Sequence, residues 1–169
     1  MNSARIEPSR RAFLAAGALL GLAGCGFKLR QAPDFAFTTI AMPTNTAYLA
    51  QLKRSIDVTG KLKVLPMIEW EKADTVFDVL GETRDQLVLS TNSAGQVREM
   101  LLFLRIRFKL RTPQGKELIP PSEVMQSRDI TYNETAALAK ESETQLLYRD
   151  MTNDIVQQTL RRLGAVKSL

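Results

Sequence analysis

Four cations recur at every second position of one stretch: Arg105, Arg107, Lys109 and Arg111. The even positions of the same stretch are Met100, Leu102, Leu104, Ile106, Phe108 and Leu110, all apolar. A period of two predicts a half-buried β-strand, because successive side chains point to opposite faces. Neighbouring cations would then stand about 6.8 Å apart, two residues at ~3.4 Å each. A row of guanidinium and ammonium donors suits phosphate or sugar-acid groups, which accept several charge-assisted hydrogen bonds at once. The row equally suits cross-strand pairing with acids such as Asp78, Glu82 or Asp129, pairs worth only about 0.2–1 kcal/mol each. Residues 97–116 hold six cations against Glu99 alone. Nearly all of the basic character is therefore local.

Other chemistry is constrained by what is missing. The 169 residues contain 23 Lys and Arg, 18 Asp and Glu, one Cys and no His. Without His there is no His-based triad, no His general base and no imidazole metal site. One Cys excludes an internal disulfide or a Cys-ligated zinc site. No catalytic residue, metal or cofactor is expected. A carboxylate-pair hydrolase would have to use acids such as Glu69, Glu71 and Asp74, which fall in an expected loop. Nucleic acid is a poor fit: single-strand binding adds aromatic stacking platforms, and the cationic face offers only Phe103.

The single Cys has a telling place. Arg5, Arg10 and Arg11 precede an uncharged run from Ala12 to Gly24, closed by Leu22-Ala23-Gly24-Cys25. A basic segment followed by a short apolar one predicts an export signal over residues 1–24, too short to span a bilayer. The tetrapeptide matches a bacterial lipoprotein box, so Cys25 is the expected lipidation site and the new N-terminus. Three acyl chains would exceed the roughly two signals that stable anchoring needs. Gly26, not Asp, follows Cys25, so the outer membrane is the expected destination. Ser9-Arg10-Arg11-Ala12-Phe13-Leu14 also resembles a twin-arginine export motif, with an ordinary paired-basic signal as the alternative.

Residues 25–169 show no repeat, low-complexity tract or linker and are expected to form one domain. A strand is predicted over Ala36–Met42, closed by Pro43. Asn45 or Thr46 can cap a helix bearing Leu49, Leu52 and Ile56, which Gly60 stops. Lys61–Pro66 reads as a short strand or a loop. Strands follow over Thr75–Thr83, Leu87–Ser90 and Val97–Arg111, the last two around a polar hairpin at Thr91–Gln96. After a turn at Thr112–Gly115 a strand is predicted over Glu123–Tyr132. Either Asn133 or the capping box Ser142-Glu143-Thr144-Gln145 can start the final helix; a turn over 134–140 and a helix from about 142 is the reading adopted. The predicted class is α+β: a two-layer sandwich with two helices packed on one face of a small, mostly antiparallel sheet.

One family combines these features in this order. The lipobox leads into Cys25-Gly26-Phe27-Lys28-Leu29-Arg30, followed by Ala73-Asp74, the Gly95-Gln96 hairpin and the basic strand. Arg128-Asp129-Ile130-Thr131-Tyr132-Asn133, Leu138-Ala139-Lys140-Glu141-Ser142-Glu143, Leu147-Tyr148-Arg149-Asp150-Met151 and Arg161-Arg162-Leu163 complete it. Together they resemble the lipopolysaccharide-assembly lipoprotein family, LptE. The resemblance implies a non-enzymatic outer-membrane lipoprotein, two helices on a small sheet, seated in the lumen of the large β-barrel LptD as plug and assembly partner. It also implies lipopolysaccharide binding, with Lys140 at a basic contact position and a second contact near the hairpin tip, where this chain has Asn92-Ser93-Ala94. The row Arg105, Arg107, Lys109 and Arg111 would meet the glycolipid or the barrel wall. The alternative function is a periplasmic lipoprotein scaffold for another anionic envelope partner, such as peptidoglycan.

Overall fold

In the computed structural model, residues 33–132 and 136–169 are described. The expected signal, Cys25 and the possible cap Asn133 lie outside them. Strand β1 (Thr39–Met42) is buried along most of its length because it runs between two others. It starts three residues later than its sequence suggests. The Thr38 N–H donates to the Asp74 carboxylate at 2.8 Å rather than to a strand ladder.

Helix α1 (Ala47–Thr59) begins at Thr46, whose hydroxyl accepts from the Leu49 N–H at 3.3 Å. It ends at Gly60, which turns left-handed at φ 64°. Strand β2 (Lys63–Pro66) then runs parallel to β1, and its closing proline lies on an outer edge where no ladder donor is lost. A 3-10 segment, Met67–Lys72, carries Glu69, Trp70 and Glu71 into β3 (Thr75–Thr91).

Strands β3, β4 (Val97–Arg111) and β5 (Glu117–Thr131) form an antiparallel meander. The sheet order is β2-β1-β3-β4-β5, with β1 parallel to both its neighbours. Three expectations need correction. Strand β3 is continuous rather than broken after Thr83; register shifts that skip Leu80 and Leu89 put an extra residue on one side and disrupt the period. Strand β5 starts at Glu117, not Glu123, and runs through Pro120-Pro121. An edge strand tolerates prolines, and the pairing steps from Leu110–Ile119 to Phe108–Ser122 across them. Helix α2 (Ala137–Gly164) begins a turn before Ser142. The Ser142 hydroxyl donates to the Leu138 carbonyl, so the capping box lies inside the helix and does not form.

The alternation in β4 holds as read. Leu102, Leu104, Ile106, Phe108 and Leu110 are wholly buried, whereas Arg105, Arg107, Lys109 and Arg111 stand on the other face. The buried side packs with Leu49, Leu52 and Ile56 of α1 and Met151, Ile155, Val156 and Leu163 of α2. Each such side chain stabilises the fold by roughly 1.5–3 kcal/mol relative to exposure. Phe77 stacks on Phe108 with centroids 5.0 Å apart. Three buried threonines on α2, Thr144, Thr152 and Thr159, return their hydroxyl protons to carbonyls four residues back at 2.7–2.9 Å. That local bond lets a polar residue line an apolar interface. Tyr48 joins α1 to α2 through Thr159 at 3.0 Å, and burial raises its pKa.

Candidate functional site

Cross-strand register decides which side chains share the face of the cation row. Directly opposed residues point the same way. Asp78 pairs with Lys109, Gly81 with Arg107 and Thr83 with Arg105 on β3; Met125 pairs with Arg105 and Glu123 with Arg107 on β5. Asp78 Oδ2 lies 2.7 Å from Arg111 Nε and 3.9 Å from Lys109 Nζ. The Arg111 guanidinium also stands 5.4 Å from the centroid of the Trp70 ring. Arg105 Nε lies 3.3 Å from Glu123, and its Nη2 approaches the Met125 sulfur at 3.7 Å. Among the described residues, Arg107 has no ion-pair partner.

Pairing with Asp78 therefore occurs as the sequence allowed, but Glu82 and Asp129 do not pair with the row. Glu82 opposes Ile106, so it points to the helix side, and one of its oxygens is buried with no hydrogen-bond partner. Asp129 opposes Leu101, four positions from the first cation of the row. Glu123 is the partner that sequence reasoning missed. The Arg105–Glu123 pair is half-exposed and worth under about 1 kcal/mol, so an incoming anion can exchange for it, whereas the Asp78 pairs are more buried and held more firmly.

Towards the hairpin, the same face turns apolar. Phe103 and Leu101 continue the row beyond Arg105, and Leu87, directly opposite Leu101, is 53% exposed. Met125 flanks them at 45% exposed. One sheet face thus grades from cations to hydrocarbon along a single strand, with Asp85 and Asp129 at the rim of the apolar part.

Lys140 lies elsewhere. Its Nζ donates to Glu143 at 2.7 Å and to the Thr131 hydroxyl at 3.2 Å, leaving the side chain 19% exposed. It lines a pocket with Gln86, Met100 and Thr144. Gln86 and Met100 oppose Leu102 and Val88 and so face the helices. The structure does not bring Lys140 together with the cation row: the two lie on opposite sides of the sheet. At the hairpin tip, Asn92 Oδ1 accepts from the backbone N–H groups of Ala94 and Gln96, both at 3.0 Å. Asn92 builds the turn and supplies no charge there.

Asp74, considered for hydrolysis, is a strut. Its Oδ2 accepts from the Thr38 N–H and hydroxyl and from the Thr39 N–H at 2.8–2.9 Å. Burial raises its pKa, but these bonds together outweigh that and hold the carboxyl below its ordinary value. Glu69 pairs with Lys72 at 3.4 Å. Among the described residues there is no group of three or more Cys, Asp or Glu able to hold a metal ion, and no helix long and apolar enough to cross a membrane. A second basic surface went unseen in the sequence: Arg54, Arg84 and Arg149 line one cleft between α1, α2 and β3. They come from three elements and share no local pattern.

Comparison with known proteins agrees with this geometry. The chain is similar to the LPS-assembly lipoprotein LptE of Yersinia pestis (strain Pestoides F), 29% identical over 154 residues that cover 88% of this chain and 72% of that protein. The LptE of Yersinia pseudotuberculosis serotype O:1b matches to the same extent. Among solved structures, an uncharacterized lipoprotein B from Nitrosomonas europaea is 31% identical with a TM-score of 0.70, covering 83% of this chain and 91% of that one. A rare lipoprotein B from Shewanella oneidensis shares the fold at a TM-score of 0.61 and 19% identity, over 76% of this chain and 92% of its own. The lipopolysaccharide-assembly LptE family model matches residues 37–163, which spans the sheet and both helices, and the chain belongs to that family.

Proposed function

We propose that this protein is the outer-membrane lipoprotein that plugs and assembles the LptD β-barrel and binds lipopolysaccharide during delivery to the outer leaflet. On this reading residues 1–24 are a cleaved lipoprotein signal, Cys25 carries the acyl chains, and residues 25–169 form the periplasmic domain. The work is binding and positioning, with no catalytic step. Family membership supports a role in lipopolysaccharide assembly. The observation that carries the ligand reading is the graded sheet face. Arg111, Lys109, Arg107 and Arg105 are followed along β4 by Phe103 and Leu101, and the 3-10 segment approaches the row through Trp70 at the Arg111 end. An amphiphile with an anionic headgroup and hydrocarbon tails matches that order.

Within the row Arg107 engages first, since no ion pair has to open. Arg105, Lys109 and Arg111 follow by exchanging Glu123 and Asp78 for ligand oxygens. Lys140 serves as a separate contact at the hairpin end of the helix side.

The experiment pairs Arg105→Glu with Arg107→Glu in the full-length protein. Lipopolysaccharide binding in detergent at low salt should weaken about 10-fold, and its salt dependence should shrink, because exposed attractions are screened by added ions. Unchanged low-salt binding removes the sheet face from the ligand site. Purification of the variant should still bring down a large outer-membrane barrel; failure of the wild-type protein to do so overturns the plug reading.

A further inference from the structure

The cleft between the helices has a character that the sheet face lacks. Arg54 comes from α1, Arg149 from α2 and Arg84 from the helix side of β3, opposite Leu104. The remaining wall includes Gln145, Tyr148 and Asn153, all neutral, and no carboxylate lines it. Its volume is about 460 Å³, enough for a phosphorylated monosaccharide.

The three guanidinium groups are held differently. Arg54 donates through Nε and Nη2 to Gln51 one turn back, a neutral acceptor that fixes the fork without cancelling its charge. Arg84 stands 5.4 Å from the centroid of the Tyr148 ring and 3.8 Å from Glu82. The Tyr148 hydroxyl is anchored on the Asp85 carbonyl at 3.1 Å, so the ring is a fixed platform. Arg149 has neither hydrogen-bond nor ion-pair partner among the described residues. On the sheet face, by contrast, three of the four cations pair with Asp78 or Glu123. Here, among the described residues, Glu82 is the one acid paired with a cleft arginine, and it lies on β3.

We propose that this cleft is a second anion site, which takes a phosphate monoester, with Arg54 and Arg149 as donors from opposite helices and Arg84 as the inner donor. Planar guanidinium forks match phosphate oxygens two at a time, and convergence from three elements gives the site a fixed geometry. Neutral amides beside them suit hydroxyl groups of an attached sugar. The site is on the far side of the sheet from Arg105 and Arg107, so it stands whether or not that row binds lipopolysaccharide. A phosphorylated lipid headgroup and a free sugar phosphate present the same chemistry to it.

The test titrates the full-length protein in non-ionic detergent with glucosamine 6-phosphate, inorganic phosphate, dihexanoyl phosphatidic acid and glucosamine, followed by calorimetry. Saturable binding of the phosphate monoesters is expected, with none for glucosamine. Arg54→Gln with Arg149→Gln should weaken it at least ~10-fold at an unchanged melting temperature, as both side chains are exposed. Arg149→Lys alone should lose part of the affinity, since an ammonium keeps the charge but not the fork. Arg105→Glu with Arg107→Glu should leave this binding intact. Tighter binding of the phosphatidic acid assigns the site to a lipid headgroup, and tighter binding of the sugar phosphate to a soluble ester. Equal affinity in the Arg54/Arg149 variant, or no saturable binding of any phosphate probe by the wild-type protein, overturns the proposal.

Discussion

Asp74 illustrates how one carboxylate can set the position of a strand. Two backbone N–H groups and one hydroxyl from Thr38 and Thr39 converge on a single oxygen, while the Asp74 N–H donates back to the Thr39 hydroxyl at 2.7 Å. The reciprocal bonds fix where β1 meets β3. Hydrogen bonds to a charged acceptor contribute about 1.5–3 kcal/mol each at best, so Asp74→Asn should cost about 1–3 kcal/mol in denaturant melts. The pH dependence has a definite sign. Because the folded carboxyl titrates below its ordinary 3.8, its stabilisation is complete above that value and is lost as pH falls through the lower folded pKa. Wild type and Asp74→Asn should therefore differ most at neutral pH and converge as pH falls below the lowered folded pKa. A constant gap down to acid pH would show that the strut does not depend on charge. The Ala73-Asp74 pair was visible as a motif before the fold was known, but its partners lie 35 and 36 residues away. No local pattern could name them.

At the scale of elements, legibility follows burial asymmetry. Strand β4 was readable to the residue because one face is wholly buried and the other is cationic. Helix α1 was readable because a capping threonine and a stopping glycine bracket three apolar residues at helical spacing. The sequence suggests a break in β3 because its two bulges shift the period and its hairpin half leaves Leu87, Val88 and Leu89 about half exposed. The sequence suggests a shorter β5 because prolines normally end strands, and its edge position is what makes them acceptable. The sequence suggests a later start for α2 because the apolar residue of its first turn, Leu138, stays exposed rather than joining the buried stripe, and a spurious capping box follows. Of the candidate site, the row and Lys140 were legible as pattern and motif, whereas the three-arginine cleft depends on tertiary convergence. The helix stop can be tested directly. Gly60 holds φ 64° with open space around its missing side chain. Gly60→Ala should thus cost only the left-handed backbone penalty, about 1 kcal/mol, and Gly60→Asn less, as read by melting temperature. A much larger loss would mean that contacts, not backbone, fix the turn.

For the whole molecule, the two faces of the sheet differ in what covers them. The helices and the core occupy one side, with core side chains running from Phe37 to Leu163, and the same stretch is what the family model matches. Those described core residues all follow Cys25 in the chain, so on the proposed reading anchoring and folding are separable properties. A single acyl chain holds a protein to a membrane only marginally, while each further buried CH₂ adds about 0.8 kcal/mol, so on that reading triacylation would make Cys25 decisive for location. Cys25→Ala, exported behind an ordinary cleavable signal in place of residues 1–24, should move the protein from the membrane pellet to the soluble periplasmic fraction. Its circular dichroism and thermal midpoint should match the wild-type protein in detergent within about 2 °C, since ~1 kcal/mol corresponds to several degrees for a domain of this size. Loss of the folded signal would place part of the stabilising contacts before residue 33. Retention in the pellet with the fold intact would mean that the barrel, not the lipid, holds the protein at the membrane. Repeating the fractionation in cells depleted of the barrel separates those two tethers, because the variant should then be released.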